Sequence, residues 1–349
     1  MSGLELKIPQ TITCHRRRID AGLKEFLQGR EGELIRMTRY HLGFSPDGAD
    51  PDGSLAGKAI RPCLALFLTE ALDGELEEAC PAAISLELVH NFSLVHDDIQ
   101  DGSTLRRGRK SVQALWGQNQ AINAGDGIKD LALLAFFKLR NGDGCREKSL
   151  TALESISSSS LRMIEGQILD LKYEGREDVG EGDYLDMIAL KTCALFECAF
   201  TLGFIYGEEI EEKDLAPLLS FARGLGYVFQ IRDDWLGIWG EPEKSGKSAH
   251  KDLIEKKKSF PVVYALTNAK NEVKGKLEEF YGGKNEELTA EQAEEVRGLL
   301  EEAGAREATL EAADAYWKEA KGDLKKVSLP GWASEDLKEF GHFLLNREK

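Results

Sequence analysis

Two clusters of aspartates lie far apart in this chain, and each is set in an apolar, helix-like segment. Asp97, Asp98 and Asp101 end the segment LELVHNFSLVHDDIQD, and Asp233 and Asp234 stand within YVFQIRDDWLGIW. Ionised carboxylates rarely enter apolar segments unless a positive charge compensates them. Two such clusters can face each other across a cavity and hold hard divalent cations, which in turn hold phosphates. The pair therefore predicts a metal-dependent site for a phosphorylated substrate.

The first cluster has the spacing of a metal-binding helix face. Asp97 and Asp101 are four residues apart, so their carboxylates lie on one face of a helix and can bridge Mg²⁺ ions. Asp98 lies about 100° round the helix, which predicts a supporting role for it. The alternative is a solvated acidic helix end stopped by Gly102, but the apolar residues before the cluster disfavour it.

Two arginines that could bind phosphate follow the first cluster. Arg106 and Arg107 come after a short turn, and a guanidinium group binds phosphate oxygens in bidentate fashion. Acidic metal ligands close to paired arginines suit a diphosphate with its counter-ions. The alternative is simple charge balance between aspartates and arginines, which is common on protein surfaces.

The second cluster is shorter than the first. Gln230 precedes Asp233 and Asp234 by one helical turn, where it can hydrogen-bond a ligated carboxylate or a water. Gly237 stands where a third aspartate would complete a D-D-x-x-D pattern. The second cluster therefore offers a metal one carboxylate fewer.

Further cations lie at positions that could neutralise a bound anion. Lys191 is set in the apolar run MIALKTCALF, where a lysine is costly unless it meets an anion. Lys58 and Arg61 lie three apart before an apolar helix, Lys247 follows a glycine in a flexible loop, and Lys257 is the middle of three lysines. For the lysine run, a solvated patch is the simpler interpretation.

The other reactive residue types exclude several alternative chemistries. His90 and His96 lack the His/Cys spacing of a zinc site, and the chain has neither a Gly-x-Ser-x-Gly elbow nor a Walker loop. Six cysteines show no C-x-x-C spacing, so we expect free thiols and a reducing, cytoplasmic location.

Composition limits the partners and the fold. The formal charge of −16 and the pI of 5.0 argue against a nucleic-acid surface or a polybasic membrane patch. No signal pattern or run of 18 apolar residues predicts an integral membrane segment. Apolar residues recur at three and four positions in most segments, which predicts an all-α fold. No linker divides residues 1–349, so we expect a single domain.

The motifs in their order resemble those of the trans-isoprenyl diphosphate synthases, also called polyprenyl synthetases. The resemblance covers about residues 57–261 and is carried by LVHNFSLVHDDIQD, LRRG, GQILDL, KTCALF and FQIRDDWLGIWGEPEKSGK. AGKAIRP resembles the family's Gly-Gly-Lys-x-x-Arg element, with Ala56 in place of its first glycine. The resemblance implies an isoprenoid synthase-type helical bundle around a central cavity, usually as a homodimer.

The resemblance also implies a role for each motif residue. The metal ligands would be Asp97, Asp101 and Asp233, supported by Asp98 and Asp234 and holding three Mg²⁺ ions. The residues on the allylic diphosphate would be Arg106, Lys191 and Lys257, with Lys247 closing over it. Those on isopentenyl diphosphate would be Lys58, Arg61, His90 and Arg107. Thr192 and Gln230 would lie beside the developing cation, and Gln167 and Asp170 would line or brace the site.

The implied reaction condenses isopentenyl diphosphate with an allylic diphosphate to give a C15–C20 trans-prenyl diphosphate. Phe92 lies five residues before Asp97, about one and a half turns deeper, and an aromatic at that depth beside the small Ser93 fits this product length in the family. Two alternatives stay open, which are a type I terpene cyclase on the same fold and a non-catalytic partner subunit. The basic residues assigned to isopentenyl diphosphate favour elongation.

Overall fold

Apolar residues at helical spacing build nearly all of this protein, as the sequence predicts. The computed structural model describes residues 7–44, 57–138, 146–240, 251–282 and 287–348. The N-terminal helices are α1 (Gln10–Thr13), α2 (Arg16–Leu27), α3 (Glu33–His41), α4 (Ile60–Ala71), α5 (Leu76–Gln100), α6 (Val112–Trp116), α7 (Gln118–Lys138) and α8 (Arg146–Glu174). The C-terminal helices are α9 (Glu181–Ile188), α10 (Ala194–Tyr206), α11 (Glu212–Trp239), α12 (Lys251–Ile254), α13 (Phe260–Asn268), α14 (Asn271–Gly282), α15 (Ala290–Glu302), α16 (Ala305–Leu324) and α17 (Gly331–Asn346). The all-α prediction is confirmed.

The two helices that carry the aspartate clusters are central members of the bundle. Helix α5 packs along α7 and against α4, α8 and α10, while α11 packs along α16 and against α10 and α17. Both are apolar on several faces, so neighbours can surround them. The largest core contains residues from Ile12 to Leu344, so both ends of the chain contribute to it. The single-domain assignment stays a prediction.

A small hairpin follows the first cluster, which the sequence pattern did not predict. Strands β1 (Leu105–Arg106) and β2 (Arg109–Lys110) pair antiparallel. Helix α5 ends where Gly102 takes a positive φ of 59°, a conformation that glycine adopts without strain. Arg107 lies in the hairpin turn with φ of 53°. The two arginines therefore lie on a tight turn close to the acidic end of α5.

The helix predicted over MIALKTCALF is interrupted where it carries its lysine. A π-helical segment, Ala189–Cys193, joins α9 to α10. Wide π-helical turns are rare and occur often at functional sites. Gly166 of α8 lies directly against this segment, since a Cβ built on it would overlap the backbone nitrogen of Lys191. Absence of a side chain at Gly166 thus allows the lysine segment to approach α8.

The segment Glu181–Tyr206, which includes this π-helical turn, is the one described stretch long and apolar enough to cross a membrane. Its most apolar window has a mean hydropathy of 1.7, and 67% of that window is buried inside the protein. Core helices of soluble proteins pass the same test, so this is weak support for a membrane span.

The region from Asn271 to Lys326, which is rich in Glu, Lys and Ala, buries an apolar face. Leu277, Leu300 and Ala305 are inaccessible to solvent and pack with Leu253 and Val262 in a separate core cluster. The cysteine prediction agrees with the structure, because the five cysteines in the described ranges are free.

Candidate active site

An ion pair joins the first aspartate cluster to Lys257, which follows the second aspartate cluster in the sequence. The Lys257 Nζ donates to the Asp101 Oδ2 at 2.9 Å, across 156 residues of sequence. Lys257 also lies 3.4 Å from Glu255. Its pKa is raised, since Asp101 and Asp252 outweigh burial, which alone would lower it. The lysine run is therefore not a solvated patch at this position, and Lys257 is a charged member of the site.

Asp97, four residues before Asp101, lies among charged groups from two other elements. Burial raises the pKa of Asp97, while Lys191 acts to lower it and Asp101 to raise it. Lys191 donates to the Asp170 Oδ2, and Asp170 and Asp97 keep its pKa raised although burial acts in the other direction. In the structure the charge of Lys191 in its apolar run is therefore met by a carboxylate of α8, and its role on a diphosphate stays a prediction.

Asp234 is held as a buried acceptor for three donors. Its Oδ2 accepts from the Tyr184 hydroxyl at 2.7 Å and from the Phe260 N–H at 2.9 Å. Its Oδ1 accepts from the Gln230 Nε2 at 2.9 Å, and the Gln230 Oε1 accepts from the Thr192 hydroxyl at 2.8 Å. Burial raises the pKa of Asp234 to about 7, against the lowering effect of these hydrogen bonds. Asp234 thus orients Gln230 and Thr192.

Asp233, its neighbour, is one-third exposed and pairs with a residue near the C-terminus. The Arg347 Nη2 lies 3.1 Å from the Asp233 Oδ1, with side chains that are 8% and 34% exposed. The two aspartates of the second cluster therefore have different environments. Asp233 is partly exposed and faces the guanidinium of Arg347, whereas Asp234 is buried in the protein.

The same division occurs in the first cluster. Asp98 is 1% exposed, and its Oδ1 accepts from the Nε and Nη2 of Arg106 at 3.0 and 2.6 Å. A buried carboxylate with an arginine partner positions that arginine in the hairpin. The supporting role at a metal site stays a prediction for Asp98.

A separate basic group contains the residues predicted for the second substrate. The Arg61 Nη1 lies 3.3 Å from the His90 Nε2, and the guanidinium stacks 4.9 Å from the Phe196 ring. Lys58 lies 5.7 Å from the centre of the Phe343 ring. Burial and Arg61 hold the pKa of His90 well below its usual range, so this histidine is neutral.

Arg107 extends this basic group, and a buried glutamate that sequence reasoning missed compensates it. A Cβ built on Gly57 would overlap the Arg107 guanidinium, so the glycine of the AGK element makes room for it. Glu87 is 5% exposed, its Oε1 accepts from the Asn91 Nδ2 at 2.9 Å, and it acts on the pKa of both Arg107 and Arg61. A charged residue in the apolar segment SLELVHN was the available signal.

A second missed residue, Asp252, occupies the space beside Gly237. A Cβ built on Gly237 would overlap the Asp252 Oδ2. Asp252 also influences Lys257 and Asp234 electrostatically. A carboxylate from the following segment therefore lies where a third aspartate of the second cluster would point. No local sequence pattern marks it, since it stands in a short polar segment, helix α12.

The structure gives the contacts of two further predicted residues, Phe92 and Gln167, and does not describe a third, Lys247. Phe92 is 4% exposed, with the His96 ring 5.9 Å and the Lys129 Nζ 5.6 Å from its centre. Gln167 donates to the Gln100 Oε1 at 2.7 Å, which links α8 to the end of α5. Lys247 lies outside the described residues.

The carboxylates suit Mg²⁺ in chemical kind, although they are not gathered as a finished ligand set. In the described ranges, no three His, Cys, Asp or Glu side chains converge on one point as ligands would. Asp101 and Asp233 are instead paired with Lys257 and Arg347. Oxygen donors without histidine or thiolate are the set that Mg²⁺ prefers. The residues therefore fit Mg²⁺, provided that these basic partners give way.

Lys258, beside Lys257, is buried away from this site and supplies a pH test of the fold. It is 4% exposed with its Nζ 4.7 Å from the centre of the Tyr281 ring, and burial lowers its pKa from 10.5 to about 8. Because the unfolded state binds more protons between these values, stability from this group rises with pH from about 8 to 10.5.

We expect Lys258→Met to raise the free energy of unfolding by about 1–2 kcal/mol at pH 7, since it removes a buried charge. The gain should shrink as pH rises towards 10.5. Chemical denaturation at several pH values checks this. The control is Lys318→Met, which replaces an exposed lysine of α16. A gain that stays constant with pH would contradict the assignment.

The fold and these contacts together describe an all-α bundle with paired acidic and basic side chains. Lys257 pairs with Asp101 of the first cluster, Lys191 pairs with Asp170, and Arg61 lies beside His90 in a separate basic group.

The comparisons with known proteins identify the family. The family described as polyprenyl synthetase matches residues 53–300 of this chain. The chain belongs to that family, and it is a trans-prenyltransferase of the isoprenyl diphosphate synthase type.

Relatives of several product classes are similar along most of the chain. The short chain isoprenyl diphosphate synthase of Methanothermobacter thermautotrophicus is 38% identical, covering 84% of this chain and 87% of that protein. The (2E,6E)-farnesyl diphosphate synthase of Mycobacterium tuberculosis is 33% identical over 93% of this chain and 89% of its own. The geranylgeranyl pyrophosphate synthetase structure from Pyrococcus horikoshii has a TM-score of 0.83 and 31% identity, covering 97% and 98%.

Proposed function

We propose that this enzyme condenses isopentenyl diphosphate with an allylic diphosphate in a Mg²⁺-dependent reaction, giving a C15–C20 trans-prenyl diphosphate. The observation that carries the proposal is the ion pair between Asp101 and Lys257. It links the first aspartate cluster to the segment that follows the second, which supports the proposal that both clusters serve one site. Names of similar proteins, which include farnesyl and geranylgeranyl diphosphate synthases, support the product range.

The allylic diphosphate would bind between the two clusters. Asp97, Asp101 and Asp233 would hold Mg²⁺, and we propose three ions. When bound, Mg²⁺ would supply the positive charge that makes the diphosphate a better leaving group. Lys191 and Lys257 remain charged although they are mostly buried, because nearby carboxylates raise their pKa values. Their ammonium groups can therefore bind the diphosphate oxygens.

Arg106 would add a third cation to the allylic diphosphate. Its guanidinium is 30% exposed while its partner Asp98 is buried. The bidentate contact with Asp98 fixes the arginine, so less side-chain entropy is lost when it binds a phosphate. Lys247 would close over the diphosphate, as the resemblance implies.

Isopentenyl diphosphate would bind at the basic group formed by Lys58, Arg61, His90 and Arg107. Arginine and lysine side chains supply its charge, and the neutral His90 can donate a hydrogen bond without adding to the mutual repulsion of the cations. Glu87 offsets part of that repulsion while the site is empty of substrate.

The bond changes follow from this placement. The C–O bond to the allylic diphosphate breaks, the double bond of isopentenyl diphosphate forms the new C–C bond, and one proton is lost. Pyrophosphate, the leaving group, is a base and can take the proton. Thr192 and Gln230, which Asp234 orients through hydrogen bonds, would place oxygen dipoles beside the cation that forms.

One assay tests the function. Purified protein is incubated with Mg²⁺ and dimethylallyl, geranyl or farnesyl diphosphate, with and without isopentenyl diphosphate. Longer prenyl diphosphates that require isopentenyl diphosphate are expected. Hydrocarbons formed without it would identify a cyclase, and absence of turnover would indicate a partner subunit.

Phe92 is expected to set the product length. Phe92→Ala removes a buried ring from the floor of the proposed chain pocket, so we expect products at least one C5 unit longer than those of the wild type, read by mass spectrometry. Ser93→Ala, which changes little volume at the neighbouring position, is the control. An unchanged product distribution in Phe92→Ala would assign the floor to another residue.

We propose a cytoplasmic homodimer that associates through α7 and α8. Both helices pack against α5, and both expose large apolar side chains. These are Ile122, Leu133, Leu134 and Phe137 on α7 and Leu150, Leu161 and Ile168 on α8. Exposed apolar side chains on neighbouring helices are typical of an interface. Sedimentation at a mass twice 38.7 kDa would support this, and a monomer would contradict it.

A further inference from the structure

We propose that Arg347 is a C-terminal latch, a counter-ion that holds Asp233 in the resting enzyme and must be displaced before Asp233 binds a divalent cation. The inference rests on the proposed function, because it takes Asp233 as a metal ligand. It adds a specific resting state in which a residue of this chain competes with the metal.

The contacts of the Arg347 guanidinium are suited to hold a carboxylate. Its Nη2 donates to the Asp233 Oδ1 and to the Phe229 carbonyl oxygen, each at 3.1 Å. The guanidinium carbon lies 4.2 Å from the centre of the Phe229 ring. The side chain is 8% exposed. Burial lowers its pKa, whereas Asp233 acts to raise it.

The backbone of the latch is fixed independently of its side chain. Helix α17 ends at Asn346, and Arg347 is the next residue. The Nε and Nη2 of Arg232 donate to the Arg347 carbonyl oxygen at 3.1 and 3.0 Å. Because Arg232 holds the main chain, the guanidinium can leave Asp233 through side-chain rotation alone, without unfolding α17.

A guanidinium and a divalent cation compete for the same carboxylate, because two positive charges at that distance repel each other. The ion pair with Arg347 therefore opposes the binding of a metal to the Oδ1 of Asp233. A ligand shifts an equilibrium between two states by its differential affinity for them, so the latch lowers the apparent affinity for metal.

The guanidinium has a favourable position after its release. The Phe229 ring and carbonyl oxygen already contact it, and neither contact depends on Asp233. The same ring has the Arg61 guanidinium 5.9 Å from its centre, so this aromatic side chain already accommodates two arginines. The latch thus has two states that differ in one ion pair, so conversion from one state to the other breaks the contact between Arg347 and Asp233.

Mn²⁺ binding without substrates tests the latch directly. Free Mn²⁺ is followed by electron paramagnetic resonance during titration of the wild type and of Arg347→Gln. We expect the variant to bind its tightest Mn²⁺ about fivefold more strongly, the size of a partly exposed ion pair. Arg347→Lys, which keeps the charge but loses the planar contact with Phe229, should fall between the two.

The matched control is Lys338→Gln on α17. Lys338 pairs with Glu335 at 2.6 Å on the surface, so the variant removes one positive charge from the same region without touching Asp233. It should bind Mn²⁺ as the wild type does. Circular dichroism of each variant verifies that the helices are intact.

The outcomes separate the latch from the proposed function. Equal Mn²⁺ affinities for the wild type and Arg347→Gln, or an equal gain in Lys338→Gln, would overturn the latch. Absence of detectable Mn²⁺ binding in Arg347→Gln would also overturn it. If the wild type makes prenyl diphosphates in any of these cases, the latch alone is wrong. If the wild type makes none, the proposed function itself is wrong.

Discussion

Asp233→Ala is expected to lower kcat/KM by more than about a thousandfold, with little change in the unfolding transition. The side chain of Asp233 is 34% exposed, whereas Asp234 is buried and accepts from three donors, so we expect the fold to depend less on Asp233 than on Asp234. Loss of a metal ligand removes charge stabilisation from the leaving diphosphate at the point where it is most needed. Steady-state kinetics and a thermal melt of the same preparation measure both effects.

Gly237→Asp is the comparison for this variant, since it adds the aspartate that the second cluster lacks. A side chain at position 237 would overlap the Asp252 Oδ2, so Asp252 must rotate away to admit it. We therefore expect a loss of about tenfold, which is small beside that of Asp233→Ala. Small, equal effects of the two substitutions would contradict the proposed metal site.

Asp234→Ala is expected to act on stability, with a loss of about 3 kcal/mol in the free energy of unfolding. Asp234 is 7% exposed. Its removal leaves the Tyr184 hydroxyl, the Phe260 N–H and the Gln230 amide without their acceptor. Buried donors without partners each cost about 1–3 kcal/mol. Denaturant titration measures this loss, which should exceed that of Asp233→Ala.

Asp234→Asn serves as the conservative variant. An asparagine keeps one acceptor oxygen for Tyr184 and Phe260, but its amide nitrogen opposes the Gln230 amide. We therefore expect about half the loss of the alanine variant. Equal stability of Asp234→Ala and the wild type would show that Asp234 is not a structural brace.

The sequence alone predicted the elements of this site because its strongest signals are local. Apolar spacing marks α5 and α11 as helices, and four-residue spacing puts Asp97 and Asp101 on one face. Lys191 could be singled out because a charge in an apolar run needs a partner. Gly237 was visible as the missing third aspartate.

The pattern could not predict features that depend on local backbone geometry or on a side chain arriving from elsewhere. The π-helical turn at Ala189–Cys193 depends on the close approach of Gly166 on α8. Asp252 reaches Gly237 from the short helix α12, whose four residues have no pattern of their own. Such features arise from packing between segments, which residue spacing does not encode.

The chain by itself thus determined that this is an all-helical protein with two acidic clusters and a set of basic residues suited to diphosphates. The family resemblance implied a supporting role for Asp234 beside Asp233, and only the tertiary structure supplied the partners that bury Asp234 and leave Asp233 partly exposed. Adjacent residues on a helix point about 100° apart, so one turned towards Arg347 and the other into a buried network. Tyr184 and Phe260 donate to Asp234, whereas Arg347 pairs with Asp233. These different partners give the two neighbouring aspartates different surroundings.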